Sequence, residues 1–195
     1  MSRLVLASAS PRRRDLLRHL VADFDVRPSA IDEDLEPGPL STTVARLAER
    51  KGRAVAAGLA AGVVLAADTV VAIDGDALGK PRDADEARAM LRRLRGRGHE
   101  VVTGVAVLDV ATGAVAGASE VTAVVMARYG DDLIERYVAS GAPLDKAGGY
   151  AIQELDGVLV DRLVGSYTNV IGLPLGLTAR LLRAAGVPLS GSAWA

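Results

Sequence analysis

The chain has 195 residues, with 23 Lys+Arg against 24 Asp+Glu for a net charge of −1, 50% hydrophobic residues and 3% aromatics. That length suits one large domain or two closely joined lobes with a real core, and the charge balance excludes a general binder of nucleic-acid polymers, which carries a basic excess. Cysteine is absent and the only histidines are His19 and His99, which excludes disulfides, thiolate catalysis, Cys-type zinc sites, iron–sulfur clusters and a His-rich metal site.

The opening MSRLVLASASPRRRDLL is a short apolar run broken after Ala7, unlike a secretory leader. Arg3–Ser8 reads as a first strand. Pro11–Leu20 reads as a helix with Ser10 as N-cap and Pro11 at its first position. Phe24–Pro28 is a second strand, Ser29–Pro39 an acidic loop, and Ser41–Leu59 a long helix opening on Ser/Thr. The longest apolar stretch, Gly58–Ala67, is too short to span a bilayer, so the expectation is a cytoplasmic protein with no membrane contact. Val63–Ile73 is a continuous, buried-type strand, followed by an Asp74-Gly75 turn. Asp83–Arg95 is a helix: Asp83 and Glu86 make a capping-box pattern, and Ala84, Ala87, Leu91 and Leu94 form one stripe.

Glu100–Asp109 and Ala114–Arg128 read as strands joined near Thr112-Gly113, and Asp131–Ala139 as a helix. Gly141–Ile152 is Gly-rich and irregular, Val158–Leu163 another strand, and Pro174–Ala185 the last helix, with Gly186 as C-cap and Pro188 beyond. The alternation predicts an α/β fold. Residues 1–187 are expected to form a single domain, any second lobe being an insertion, with 188–195 as a loose tail.

Six features break local rules. Arg12-Arg13-Arg14 stand in a first helical turn, against the macrodipole. Beside Ser8, Ser10 and the free helix N–H groups they read as a phosphate site rather than a solvated face. Lys51 falls on the apolar stripe of Val44, Leu47, Ala48, Val55 and Leu59; such a lysine either snorkels or points an ammonium at an anion. Asp68 lies inside the most apolar stretch of the chain, where a carboxylate needs a partner or a metal. Asp32-Glu33-Asp34, a solvated turn if alone, joins Asp68 as a candidate Mg²⁺ site. The glycines of Pro143–Gln153 allow close backbone approach but match neither the P-loop nor the dinucleotide fingerprint. Gly165–Asn169 is read by default as an ordinary strand–helix connection. One ligand reconciles the set: a nucleoside polyphosphate with a divalent metal, met by cations at Arg13, Lys51, Lys80 and Lys146.

LASASPRR, LAADTVVAIDG, GKPRDADEA, PLDKAGGYAIQ and GSYTNVIGLPL occur in that order. Together they resemble the Maf family of house-keeping nucleoside triphosphate pyrophosphatases, from Leu4 to about Leu182. The resemblance implies an α/β fold with a strongly twisted mixed β-sheet flanked by helices, two lobes around a central cleft, similar to inosine triphosphate pyrophosphatases. It implies hydrolysis of a nucleoside triphosphate to monophosphate and pyrophosphate with a divalent cation, Mg²⁺ or Mn²⁺. The family's catalytic aspartate falls on Asp68, its phosphate-binding residues on Arg13, Lys51 and Lys80, and its acidic loop residue on Glu33. Ser8 and Ser10 join the phosphate set, and Glu33 and Asp68 the metal.

Arg12, Thr69 and Gln153 occupy the subgroup positions and resemble the dTTP/UTP subgroup; the 7-methyl-GTP subgroup typically carries an aromatic after the SxSP proline and a glutamate where Gln153 stands. A glutamine amide can pair with a pyrimidine's carbonyl and N–H edge. Relatives more often show glutamate just before the lysine at 51 and alanine after it, where this chain has Arg50 and Gly52. The expected reaction is in-line attack of water on the α-phosphorus, with Asp68 orienting and deprotonating the water directly or through a metal-bound hydroxide. A phosphatase with Asp68 as nucleophile is a rival, although the haloacid-dehalogenase pattern wants a second Asp where Val70 stands. A nucleotide-binding regulator of septum formation is another, and the resemblance leaves a homodimer open.

Overall fold

The computed structural model describes residues 3–190. Its elements are β1 (Leu4–Leu6), α1 (Pro11–Leu17), β2 (Asp25–Val26), α2 (Leu40–Ala56), β3 (Val63–Ile73), β4 (Asp76–Leu78), α3 (Ala84–Leu94), β5 (Gly98–Asp109), β6 (Val115–Met126), α4 (Asp131–Ala139), β7 (Val160–Val164), α5 (Tyr167–Ile171) and α6 (Leu175–Ala184). The strands are hydrogen-bonded in the order β2-β1-β3-β5-β6-β7, with β4 paired to β3. β1 runs parallel to β2 and β3, whereas β4 is antiparallel to β3 and β7 to β6. This is the mixed sheet with flanking helices that the sequence predicts.

β3 and α4 coincide with their predicted spans, and the Ser10 side chain caps α1 by accepting from the Arg13 N–H. α2 differs at its start. It begins at Leu40 after Pro39, with no side-chain cap bond, so the Ser/Thr run lies inside the first turn. There Thr43 Oγ1 donates back to the Leu40 carbonyl at 3.1 Å. β4 and α5 were not expected. β4 exists because Asp74 and Gly75 both take positive φ, 55° and 84°, the signature of a tight primed turn that folds the next residues back on β3. The Gly-rich stretch after α4 resolves into 3₁₀ turns at Ala142–Asp145 and Ala147–Gly149.

The chain folds as two compact units. One contains the described residues up to Asp68, Thr103–Glu120 and the chain from Gly172 onward; the other contains Thr69–Val102 and Val121–Ile171. In the first, Val5, Ala7, Ala48, Val64, Ala66, Ala106 and Leu108 form a core. Gly104 seats α2 on the sheet: a Cβ there would lie 2.4 Å from the Val44 carbonyl oxygen, so no larger residue allows this approach. Of the tail set off at 188–195, residues 191–195 lie outside the described residues. Ser190 is tied down, its N–H donating to the Leu20 carbonyl at 2.6 Å and its hydroxyl accepting from the Ala22 N–H at 2.9 Å. Among the described residues no helix is long and apolar enough to cross a membrane.

The second unit buries Val71, Leu91, Leu94, Met126 and Ile134 with three tyrosines, Tyr129, Tyr137 and Tyr150. Each phenol finds a polar partner, as buried tyrosines generally do. Tyr129 donates to the Leu91 carbonyl at 2.9 Å, and Tyr150 meets His99 Nε2 at 2.6 Å. His99 is buried edge-on to the Tyr150 ring, and desolvation pushes its pKa down to about 4 from 6.5.

The sign follows from that depression. Between about pH 6.5 and 4 the unfolded chain binds a proton at His99 that the folded chain refuses, so stability falls as pH falls through this window. Urea unfolding should show about 2 kcal/mol less stability at pH 5 than at pH 7 from this residue. His99→Phe should flatten that dependence; an unchanged slope in the variant would remove His99 as its source.

Candidate active site

The end of β1 and the start of α1 place the first group. Ser8 is buried and its hydroxyl accepts from the Ser10 N–H at 3.2 Å. Arg13 Nη1 reaches the same hydroxyl at 3.5 Å, while Arg13 Nε donates to the Gly172 carbonyl at 2.8 Å. The guanidinium is therefore held from two sides instead of waving in solvent. Burial lowers its pKa; Asp68 and Glu33 oppose that shift and Arg12 reinforces it. A guanidinium stays charged at neutral pH through such changes. The coupling puts Arg13 in the field of both carboxylates and of its helical neighbour Arg12.

The second group is built on α2 and β3. Lys51 is 4% exposed and Asp68 7%. Lys51 Nζ lies 2.6 Å from Asp68 Oδ1 and 2.7 Å from Glu33 Oε1. So Lys51 does not snorkel. It spends its charge inward, on a carboxylate whose burial in the apolar strand would be costly without a partner. Glu33 approaches from the acidic loop and stays half-open to solvent.

That loop is fastened from α2. Arg50 donates to the carbonyls of Asp32 and Asp34 at 3.0 and 3.1 Å, gripping the chain on either side of Glu33. The next residue, Gly52, is buried where a Cβ would come within 2.3 Å of Leu108 Cδ1. It trades some helix propensity for a close seat of the helix that delivers Lys51.

The first unit thus gathers Ser8, Ser10, Arg12, Arg13, Glu33, Lys51 and Asp68. Thr69, Lys80 and Gln153 belong to the second unit. Thr69 follows Asp68 on β3, half-buried, and Lys80 is exposed just past β4. The Gly148 N–H donates to the Gly79 carbonyl at 2.9 Å, tying the Gly-rich loop to the Lys80 segment. Gly148 needs its positive φ of 69° there, packed onto Val71. Gln153 is exposed and lines a pocket of about 370 Å³ with Ile152, Arg162 and Tyr167.

Lys146, taken from sequence as a phosphate cation, is buried and already engaged. Its ammonium donates to the Ala142 carbonyl and pairs with Asp145 at 2.5 Å and Glu154 at 2.9 Å. Sequence reasoning missed Glu154 and Tyr137, which meet in the same network. The available signal was scarcity: with only four tyrosines in the chain, one on the inner stripe of α4 asks for a partner. Within Gly165–Asn169, the last residue ties the connection down. Asn169 Nδ2 donates to the Val101 carbonyl and Thr122 Oγ1, both at 2.9 Å, anchoring α5 to β5 and β6.

The donor set suits a hard divalent cation. Asp68 and Glu33 offer only oxygens, and both already converge on one positive charge. Among the described residues no group of three or more His, Cys, Asp or Glu side chains is placed to hold a metal. Mg²⁺ asks for no more than this, being usually bound by one or two carboxylates with phosphates and water completing its shell.

Fold and site define an α/β protein that sets Arg13 and Lys51 against two carboxylates, chemistry suited to a polyanion and a hard cation. Residues 3–185 match the family described as Maf-like protein, and the chain belongs to that family. It is 54% identical over 190 residues to the dTTP/UTP pyrophosphatase of Anaeromyxobacter dehalogenans (strain 2CP-C), covering 96% of each chain. It is 46% identical to that of Desulforamulus reducens, covering 97% of this chain and 100% of the relative, and 51% identical to that of Salinibacter ruber, covering 93% and 90%. The fold is similar to that of the Staphylococcus aureus Ham1 protein, with a TM-score of 0.54 and 16% identity over 94% of this chain and 99% of that one.

Removing the ammonium would leave Asp68 buried without its cation. Lys51→Met is therefore expected to destabilise the fold by about 3 kcal/mol in urea unfolding at pH 7. Asp68→Asn keeps an oxygen for Lys51 and should cost clearly less. Equal losses would mean that the buried pair is not what the strand depends on.

Proposed function

We propose that this protein hydrolyses dTTP and UTP to the monophosphate and pyrophosphate, acting on the bond between the α- and β-phosphates. The observation that carries the reading is the buried Asp68–Lys51 pair, joined by the half-exposed Glu33 and set beside Arg13, in a chain about half identical to relatives named for that activity. Modified pyrimidine nucleotides of the same shape fall within the substrate class. A cytoplasmic location and a homodimer belong to the same reading.

In this mechanism Asp68 is the general base. It orients a water for in-line attack on the α-phosphorus and accepts its proton as the new P–O bond forms and pyrophosphate leaves. A base buried in an apolar strand has little bulk water competing for its oxygens, which favours a single ordered nucleophile. Arg13, Lys51 and Lys80 neutralise phosphate charge and the charge that builds on the leaving group. Ser8 and Ser10, with the first turn of α1, add donors at the phosphate chain. Glu33 and Asp68 would hold Mg²⁺ or Mn²⁺, which when bound supplies Lewis-acid charge at the phosphates. Arg12, Thr69 and Gln153 select the base, the Gln153 amide offering one acceptor and one donor to a uracil or thymine edge.

The test is a panel of canonical and modified triphosphates with pyrophosphate release measured in Mg²⁺, in Mn²⁺ and after chelation. We expect dTTP and UTP to lead, with activity lost on chelation. Asp68→Asn should lower kcat by a factor of about 10² to 10⁴. Orthophosphate as the product would favour a phosphatase, nucleotide binding without turnover a regulator, and a lead for 7-methyl-GTP the other subgroup. Wild-type turnover by Asp68→Asn would remove it as the base.

A further inference from the structure

Gln153 sits at the tip of a four-residue turn. The Glu154 N–H donates to the Ala151 carbonyl at 3.2 Å, closing Ala151–Glu154 with Ile152 and Gln153 at its centre. Such a turn alone is weak, since one backbone bond facing solvent contributes little. The segment that follows is also held in an unfavourable conformation. Leu155 and Asp156 both take positive φ, 50° and 54°, which costs side-chain-bearing residues energy and persists only where surroundings impose it.

Immediately before that segment, one buried phenol holds the turn. Tyr137 on α4 is 2% exposed. Its hydroxyl accepts from the Ala151 N–H at 3.2 Å and donates to Glu154 Oε2. The same oxygen atom therefore grips both ends of the turn. Glu154 is fixed again through its other oxygen, Oε1, by Lys146 Nζ at 2.9 Å, and Lys146 is anchored in turn to the Ala142 carbonyl and Asp145. Burial and the bond to Glu154 keep the phenol protonated, so it remains a donor at any working pH. Among the pocket-lining residues of this turn, Gln153 alone has a side chain with both a donor and an acceptor.

We infer that Tyr137, with Glu154 and Lys146 behind it, is a positioning residue for base selection: it holds the turn that presents the Gln153 amide. The inference rests on the proposed reading of Gln153 as the residue that meets the base. Its chemical content is specific. Uracil offers a donor N–H beside an acceptor carbonyl, whereas cytosine offers an acceptor nitrogen beside a donor amine. An amide turned over by 180° serves cytosine as well as it served uracil. Discrimination between them therefore depends on how narrowly the amide is placed, and placement begins with the backbone of the turn. Loss of the phenol hydroxyl should cost selectivity first and chemistry least.

The experiment compares kcat/KM for UTP with kcat/KM for CTP in the full-length protein and four variants. For Tyr137→Phe the UTP-to-CTP ratio should fall about fivefold, the worth of one ordinary hydrogen bond, through KM for UTP more than through kcat. Glu154→Ala should reduce the ratio similarly. Glu154→Gln, whose amide oxygen still accepts from Tyr137, should restore most of it. A general loss of packing would lower both substrates together and leave the ratio alone. Gln153→Ala separates the two hypotheses. If it erases discrimination while Tyr137→Phe and Glu154→Ala leave the ratio at wild type, the positioning role is overturned and Gln153 stands. If Gln153→Ala itself leaves the ratio unchanged, the base-reading role falls and this inference with it.

Discussion

A carboxylate inside an apolar strand is the constraint on which the rest of this protein depends. Asp68 is 7% exposed among Val63–Ile73, and a carboxyl group in such a place is costly without a partner. Lys51 answers it from α2 at 2.6 Å. The answer requires α2 to lie close against β3 and β5, and that closeness explains two glycines. Gly104 admits the backbone of the helix at Val44, and Gly52 admits its next turns against Leu108. A buried ion pair is poor evidence of stability gained, because desolvation takes back most of the attraction. Its presence in a core that ordinary leucines could fill is better explained by chemistry that needs the carboxylate.

The same pair sets the electrostatics around it. Lys51 is shared between Asp68 and Glu33, and both carboxylates reach Arg13 through space. Charges of both signs balance without ligand, which matches a chain of net charge −1. A triphosphate entering this group brings negative charge to Arg13 and Lys51, and a divalent cation brings positive charge to Asp68 and Glu33. The cation offsets part of the triphosphate's charge, and the cations Arg13 and Lys51 face the remainder. Polyanion alone would meet the carboxylates unshielded. Under the proposed reading, this is a physical reason for pairing a nucleotide with a hard cation at these residues.

Much of this was legible in the sequence, because the site residues violate local expectations. A carboxylate in a run of Val and Ala, a lysine on an apolar helical stripe and arginines in a first helical turn each carry a cost that needs a reason. β3 and α4 match their predicted residues because their patterns are unambiguous, one continuous and one amphipathic. What escaped is what depends on few residues or on distant ones. β4 is three residues long and α5 five, too short for periodicity to register. The start of α2 was misjudged because Ser41 and Thr42 resemble caps, whereas Pro39 already sets the chain for the helix. Lys146 looked free because its partners, Asp145 aside, are set by the folding of the 3₁₀ turns.

The side chains that do the holding were the least legible of all, and they share a method. Arg50 takes the carbonyls of Asp32 and Asp34 and leaves Glu33 between them. Tyr137 takes the amide of Ala151 and the carboxylate of Glu154 and leaves Gln153 between them. In each case one polar group bonds to both sides of a short segment, and the side chain between them is presented from a backbone held on either side, Glu33 reaching Lys51 from that position. A segment already ordered by bonds to its backbone and neighbours has less order to acquire when a ligand binds. The Arg50 guanidinium grips main-chain carbonyls, which every sequence provides, so this fastening asks for no particular side chain in the acidic loop.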